Sequence, residues 1–472
     1  MTIARSPLAS DVPFTSSGRA FWTMDRVAQA LAPVATSPLP AGAREFSAVS
    51  TDTRAIEAGS LFVALQGDRF DAHDFLAGAV AAGAAAVVVS DAARAAGIGV
   101  PAYVVRDTRV ALGALARFRR EAWGKPVIAV GGSNGKTSTK AMLTAMLAGA
   151  YDVHATRGNL NNEIGVPITL LALPDDADVA VIEAGTNSPG EIARLRAMIV
   201  PDVVVITSIG EEHLEGFGDL AGVLREELAL AVDVPVVVTP AAHPEVAAGV
   251  TGNGQQVVVA GLDDGQMQPQ TWRLEPDGSG VLTFDDGTLH IPLRGVHNLR
   301  NAMLAVTVAR GFGVTLEQMQ SGLARMTPPA MRASVETVGR VLLVNDAYNA
   351  NPPSMLAALD LLQAVGMERP LVAVLGTMRE LGAGSDAHHD AIARDAVARP
   401  LALIVGIGDF AAALRRVAPD DPRIIIAADA PLAADTLLVR APANAAILLK
   451  GSRGAQLERL VAPITAWATS AA

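Results

Sequence analysis

Gly131-Gly132-Ser133-Asn134-Gly135-Lys136-Thr137-Ser138 is the segment whose residue types and spacing could do chemistry most directly. Gly132 and Gly135 allow backbone conformations that other residues avoid, so successive N–H groups can turn inward around an anion. Lys136 would bring a cation to the β- and γ-phosphates of a nucleotide, and the Thr137 hydroxyl would serve Mg2+. Ser133, Asn134 and Ser138 complete the cradle. The apolar run 126–130 reads as a buried strand before it. The stretch 139–148 reads as a helix after it, with Met142, Leu143, Met146 and Leu147 on one face. Strand, glycine turn and helix N-terminus together make a phosphate-binding loop. Its spacing is the short G-x-x-G-K-T form, because Val130 stands where the longer pattern has its first glycine. The alternative is a glycine turn beside a solvated lysine. Such a loop needs a carboxylate to hold its metal. Glu183 follows the apolar run 179–182, where the end of a parallel strand faces the same crevice. Its alternative is an edge glutamate.

The elements that must position these residues are legible as strand–helix alternation. Apolar runs at 60–65, 85–89 and 103–105 alternate with helical stretches at 22–31 and 75–82. The runs 179–182 and 203–206 are almost purely apolar, as parallel strands covered on both faces are. From 236 to 293, β-type runs are separated by turns such as Asp285-Asp286-Gly287, and an Ala-rich helix follows His297. After Pro328-Pro329, strands are expected at 341–345, 371–375, 403–405 and 446–449. The fold class is α/β, with three consecutive units at 21–110, 111–327 and 328–472. A loose arm is expected over 1–20.

The 472 residues are enough for two or three domains, and half of them are hydrophobic. A net charge of −11 disfavours non-specific binding to nucleic acid or anionic lipid. Bound phosphate must therefore be held by local geometry or a metal. With no cysteine, disulfides, thiolate nucleophiles, Cys-ligated zinc and iron–sulfur clusters are excluded. The first 20 residues lack an apolar core of signal-peptide type, and the longest apolar run, 76–89, falls short of the ~20 residues of a membrane span. The expectation is a soluble cytoplasmic protein.

Further segments fall in order around the loop. They are Ser50-Thr51-Asp52-Thr53-Arg54, Gly67-Asp68-Arg69-Phe70, Asn159-Leu160-Asn161-Asn162, Gly190-Glu191-Ile192 and Glu212-His213-Leu214-Glu215. Gly295-Val296-His297-Asn298-Leu299-Arg300-Asn301, Asp346-Ala347-Tyr348-Asn349-Ala350-Asn351-Pro352 and Lys450-Gly451-Ser452-Arg453-Gly454 follow. Taken singly, His213 reads as a surface or core histidine, Asn161-Asn162 as a turn, and Asp346-Ala347-Tyr348 as a strand end. Together, from about 22 to 460, they resemble the Mur ligases, the ATP-dependent amino-acid-adding enzymes of peptidoglycan synthesis.

The resemblance implies a uridine-nucleotide domain, a central phosphate-loop ATPase domain and a C-terminal Rossmann-like domain. It implies that Ser50, Asp52, Thr53, Arg54, Asn161 and Asn162 meet the UDP-linked substrate. His297, Asn298 and Asn301 are implied at the adenine, and Arg332, Asp346 and Tyr348 at the phosphates and ribose of ATP. Lys136, Glu183, His213 and Glu227 are the implied catalytic set. Thr137 and Glu183 are implied for one Mg2+, and His213 with Glu227 for a second. The segment from Asp346 to Pro352 is most similar to the branch that adds D-alanyl-D-alanine to UDP-N-acetylmuramoyl-tripeptide through an acyl phosphate. The implied partners are those two substrates, with no nucleic acid, no membrane insertion and a monomeric state.

Three positions depart from the family pattern. Gly131 stands where threonine is usual, and Thr377 where a carboxylate is common. Glu227 occupies the place of a lysine that many members carbamylate. Glu227 could replace that carbamate as a carboxylate; otherwise Glu226 and Glu227 are a solvated helix face. The other functional readings are an earlier amino-acid adder, using diaminopimelate or lysine, or a folate polyglutamylase. A catalytically silent nucleotide-binding relative is the reading from a different class.

Overall fold

The computed structural model describes residues 21–67, 70–250 and 254–470. The arm expected over 1–20 lies outside them, as do Asp68 and Arg69. Three α/β units follow one another along the chain. The first has a parallel sheet in the order Val49–Ser50, Leu61–Val63, Ala86–Val89, Ala102–Val104.

The central sheet is wholly parallel and has six strands. Their order is Gln256–Ala260, Val236–Pro240, Val203–Ile206, Val127–Gly131, Val179–Glu183, Val153–Ala155. The strands Val127–Gly131, Val179–Glu183 and Val203–Ile206 are buried along their whole length because helices cover both faces. On one face lie Lys136–Leu147 and Val296–Gly311; on the other lie Gly165–Leu171 and Glu191–Ile199. The third unit pairs Ser334–Val338 antiparallel with Val341–Asp346. The remaining strands, Ala446–Lys450, Leu371–Leu375, Leu401–Ile407 and Ile424–Ala427, continue parallel.

Three details differ from the sequence expectation. The helix after the glycine turn starts at Lys136, not at 139, because it grows directly from Gly135 in the left-handed conformation (φ +85°). Its polar first turn carries no apolar period. The segment 236–293, expected as β-type runs separated by turns, contains a short helix, Pro244–Val250, between two strands of the central sheet, followed by a separate antiparallel sheet. The helix Thr108–Trp123 runs across the expected boundary at 110/111. Its Ala111, Leu112 and Leu115 pack in the first unit's core, whereas Ala116 and Trp123 pack in the second. One continuous helix therefore ties the two cores together.

In the third unit, a fully buried His389 fixes the loop after Leu371–Leu375. Its Nε2 accepts the Met378 N–H (2.9 Å) and its Nδ1 donates to the Ser385 carbonyl (2.8 Å), so the ring is neutral. Burial lowers its pKa below 6.5. The unfolded chain takes up the proton first, so this contribution to stability is full above about 6.5 and is lost as pH falls below it. His389→Gln should lose about 1–3 kcal/mol at pH 8. Calorimetric melts should then show a shallower loss of stability than the wild type between pH 6.5 and 5.

Candidate active site

The phosphate loop is fastened from behind to the end of Val203–Ile206. Thr207 Oγ1 donates to the Gly131 carbonyl (3.0 Å) and the Asn134 carbonyl (2.6 Å). The Ser133 N–H donates to the Ser208 carbonyl (2.8 Å), and the Asn134 N–H to Ser208 Oγ (2.9 Å). Gly132 lies at φ +112°, and a Cβ there would stand 2.4 Å from Thr207 Oγ1. A Cβ at Gly135 would stand 2.6 Å from the Asn301 amide. Both glycines are therefore required by close approach as well as by φ.

The Gly132 N–H does not face an anion. It donates to Glu227 Oε2 at 2.7 Å, so Gly132 belongs to the frame of the loop and not to its cradle. The amides of Gly135, Lys136, Thr137 and Ser138, at the helix N-terminus, have no such ties and form the anion-facing end. The Lys136 ammonium folds back on the Gly132 and Ser133 carbonyls, 3.9 Å from Glu212 Oε2.

Glu183 ends its strand with only 1% exposure. Its Oε1 accepts from Thr137 Oγ1 (3.1 Å) and Asn161 Nδ2 (2.9 Å). Lys140 Nζ stands 3.0 Å from Oε2, yet no donor is aligned for a hydrogen bond to that buried oxygen. A carboxylate oxygen left without an aligned donor beside the Thr137 hydroxyl suits a cation that also takes phosphate and water. Thr137 and Glu183 thus fit Mg2+. Among the described residues, no group of three or more His, Asp or Glu side chains converges as a closed metal cage.

His213 sits in the left-handed region (φ +49°) at the start of Leu214–Phe217 and lines the same cleft. Its Nε2 is 4.0 Å from Glu212 Oε2, and its Nδ1 meets Glu380 from the third unit. Burial lowers the His213 pKa, which keeps the ring neutral and able to ligate at neutral pH. Burial pushes the Glu212 carboxyl up to about 8; Lys136 opposes that rise and Glu227 adds to it.

The far wall of the cleft comes from the third unit. Arg332 stacks over the Tyr348 ring (4.2 Å to its centroid). Asp346 accepts the Ala333 N–H (3.0 Å) and pairs with Lys450 (2.7 Å). The helix start Val296–Gly311 contributes His297, Asn298 and Asn301, with Asn298 Nδ2 donating to His297 Nε2 at 3.2 Å. The whole encloses about 390 Å3.

The Mur ligase middle-domain model matches residues 130–309, the glutamate ligase domain model of the same family 331–453, and its catalytic-domain model 45–120. The UDP-N-acetylmuramoyl-tripeptide–D-alanyl-D-alanine ligase of Escherichia coli is 35% identical over 442 residues, covering 88% of this chain and 92% of that one. The chain belongs to the Mur ligase family. The Bacillus subtilis ligase of the same name is 35% identical over 345 residues, 72% of this chain and 75% of that one. A MurF crystal structure from Acinetobacter baumannii superposes with a TM-score of 0.84 at 32% identity, covering 94% of this chain and 99% of that one. The Thermotoga maritima MurF ligase in complex with ADP gives 0.78 at 25% identity, covering 89% and 97%.

The structure of this Mur ligase brings Ser133 through Ser138, Asn161, Asn162, Glu183, His213, His297, Asn298, Asn301, Arg332, Asp346 and Tyr348 to one cleft. It does not bring Ser50, Asp52, Thr53 and Arg54 there. Asp52 and Arg54 pair with each other at 2.7 Å on the surface of the first unit, and that hydrogen-bonded pairing holds the Asp52 carboxyl at about 2. Glu227 is also absent from the cleft lining. It is buried behind the loop at 1% exposure, so it neither joins His213 nor lies on a solvated face. Its neighbour Glu226 is buried too, accepting the Gly190 and Ile192 N–H groups at 2.7 and 2.9 Å.

Two departures from the family pattern are one feature. A Cβ at Gly131 would stand 3.0 Å from Glu227 Oε2 and 2.7 Å from Leu230, so a side chain at 131 would crowd the carboxylate that reaches Gly132. Thr377 is structural in a different way: its Oγ1 accepts the Asp409 N–H (3.0 Å) at the start of Asp409–Val417. Lys140, Glu212, Glu380 and Lys450 were not singled out as site residues from sequence. Lys140, Glu212 and Lys450 pair with a carboxylate or lysine of their own unit, and Glu380 pairs with His213 of the other.

Gly132→Ala should leave the sheet folded but displace the loop, weakening ATP binding by about 100-fold, the cost of a misplacement near 1 Å. Equilibrium binding of a fluorescent ATP analogue checks this. A variant with near-normal affinity would show that the loop tolerates a side chain against Thr207.

Proposed function

We propose that this chain joins D-alanyl-D-alanine to UDP-N-acetylmuramoyl-tripeptide at the expense of ATP, giving ADP and phosphate. The observation that carries the reading is one cleft shared by the phosphate loop, Glu183 and His213 on one side and Arg332, Asp346, Tyr348 and Lys450 on the other. Relatives with that name and MurF structures align over most of the chain.

The tripeptide carboxylate attacks the γ-phosphorus of ATP, the bond to the ADP oxygen breaks, and an acyl phosphate forms. The dipeptide amine then attacks the acyl carbon, phosphate leaves, and the amine gives up a proton. No protein nucleophile is required. The chain must bring together anions that repel, and it does so with the free amides at the helix N-terminus and the Lys136 ammonium. Thr137 and Glu183 would hold Mg2+, with His213 reaching a second ion; bound there, the metal would offset phosphate charge. Asn161 orients Glu183, and Arg332 stacked on Tyr348 gives the nucleotide a flat wall. Packing of the third unit over the cleft keeps water from the acyl phosphate.

A second cavity of about 690 Å3 opens from Glu215 and Glu380 into the third unit. Arg379 and Arg459 there suit the dipeptide carboxylate, and Asp409 and Asp429 suit its ammonium group. The surface of the first unit around Ser50–Arg54 takes the uridine nucleotide in this reading. The protein acts as a cytoplasmic monomer, with unit boundaries inside the helix Thr108–Trp123 and near 327.

Phosphate release from ATP tests the proposal. It should require Mg2+, the UDP-linked tripeptide and D-alanyl-D-alanine together. Release with the substrates of an earlier adding enzyme instead would sink it. Lys136→Ala should lower kcat by about 100–1,000-fold. Arg459→Ala should raise KM for the dipeptide about tenfold with KM for ATP unchanged, measured by steady-state kinetics.

A further inference from the structure

We infer that Glu380, on the third unit, is a positioning residue for His213 on the central unit. It holds the imidazole with Nδ1 protonated and Nε2 turned to the cleft, so the site is complete only when the two units are docked. This rests on the reading of His213 as a ligand given above.

The contact is made by parts built for it. Among the described residues, Glu380 and His213 are two of the few non-glycine positions with positive φ, at +65° and +49°. Such conformations persist only where surrounding contacts over-determine them. The loop carrying Glu380 is pinned at two preceding amides: Met378 N–H to His389 Nε2 (2.9 Å) and Arg379 N–H to Ser452 Oγ (3.1 Å). At Glu380 itself, the backbone carbonyl accepts the Glu215 N–H (3.4 Å) from the central unit. Its carboxylate passes over the same junction to His213 Nδ1.

Glu380 serves no other partner among the described contacts, and its side chain is half exposed. A carboxylate on one ring nitrogen fixes both tautomer and ring plane and leaves the lone pair on the other. On His213 that other nitrogen is Nε2, which lies 4.0 Å from the carboxylate of the adjoining Glu212 in the lining of the cleft. The Phe217 and His213 rings meet edge to face, with centroids 6.3 Å apart and planes at 86°. His213 caps a helix of one turn, and among the described residues nothing on its own unit bonds Nδ1. Its orientation is therefore supplied across the domain junction.

The test uses the full chain with 15N-labelled histidine, free of metal and nucleotide, with the His213 signals assigned by their loss in His213→Gln. The wild type should show a protonated Nδ1 and a bare Nε2. Glu380→Ala should move the ring towards the Nε2–H form that free imidazole favours. Glu380→Gln, whose amide oxygen still accepts, should keep the Nδ1–H form. In the ligase assay, Glu380→Ala should lower kcat by about 10–100-fold, with KM for ATP within about twofold. Glu380→Gln should recover part of that loss.

His213 signals unchanged in Glu380→Ala overturn the inference, even if activity falls, because Glu380 would then be a domain clasp only. Shifted signals with unchanged kcat overturn it as well, because the ring's orientation would not matter to the reaction. Failure of the ligase reading shows separately, as wild-type phosphate release that does not require both substrates. The nitrogen spectra still decide whether Glu380 orients His213 in that case.

Discussion

The tie between the phosphate loop and the end of Val203–Ile206 is the constraint on which the rest of the cleft depends. Thr207 and Ser208 bind the loop through its carbonyls and two of its amides, and Glu227 takes a third amide from behind. With those groups engaged, the loop cannot collapse onto itself. The only amides left for an anion are those that begin Lys136–Leu147, where the helix dipole adds its positive end. The sheet order makes this possible: the strand bearing the loop lies between Val203–Ile206 and Val179–Glu183, so the fastening and the carboxylate arrive from its two neighbours.

An acidic protein that assembles anions must place its few cations with care. Lys136 and Lys140 each face a buried carboxylate, Glu212 and Glu183, and Lys450 faces Asp346. These pairs do not act chiefly as stabilisers, since burying an ion pair costs about as much as it returns. They hold charge in a place where phosphate and metal can later take over the partners. The Glu212 carboxyl belongs to the same picture, because burial raises its pKa while the Lys136 ammonium opposes the rise.

The cleft is also divided between two units. The central unit supplies phosphate contacts and Glu183, and the third supplies Arg332, Tyr348, Asp346 and the Glu380 that meets His213. Neither side is complete alone. On the proposed reading, the two units together enclose the nucleotide, as a reaction with a water-sensitive intermediate requires. The loop that makes the junction is held internally by His389 and Ser452.

The sequence by itself determined the three α/β units, the parallel central sheet and the phosphate loop. Apolar runs such as Val203–Ile206 can only be strands covered on both faces, and G-x-x-G-K-T between strand and helix leaves little geometric choice. It also placed Glu183 at a strand end, and from there in the crevice. The tertiary structure alone decided what each polar side chain faces. Glu227 sits in a helix whose sequence allows a solvated face or a metal ligand, yet it lies behind the loop, because Gly131 has no side chain to keep it out. Gly132 reads as cradle but serves as frame, since its N–H points to that carboxylate. Glu380 lies far from His213 in sequence, and no local pattern links them. Periodicity records which face of an element is buried, but a contact between two elements depends on how they pack, and that is set by the whole chain.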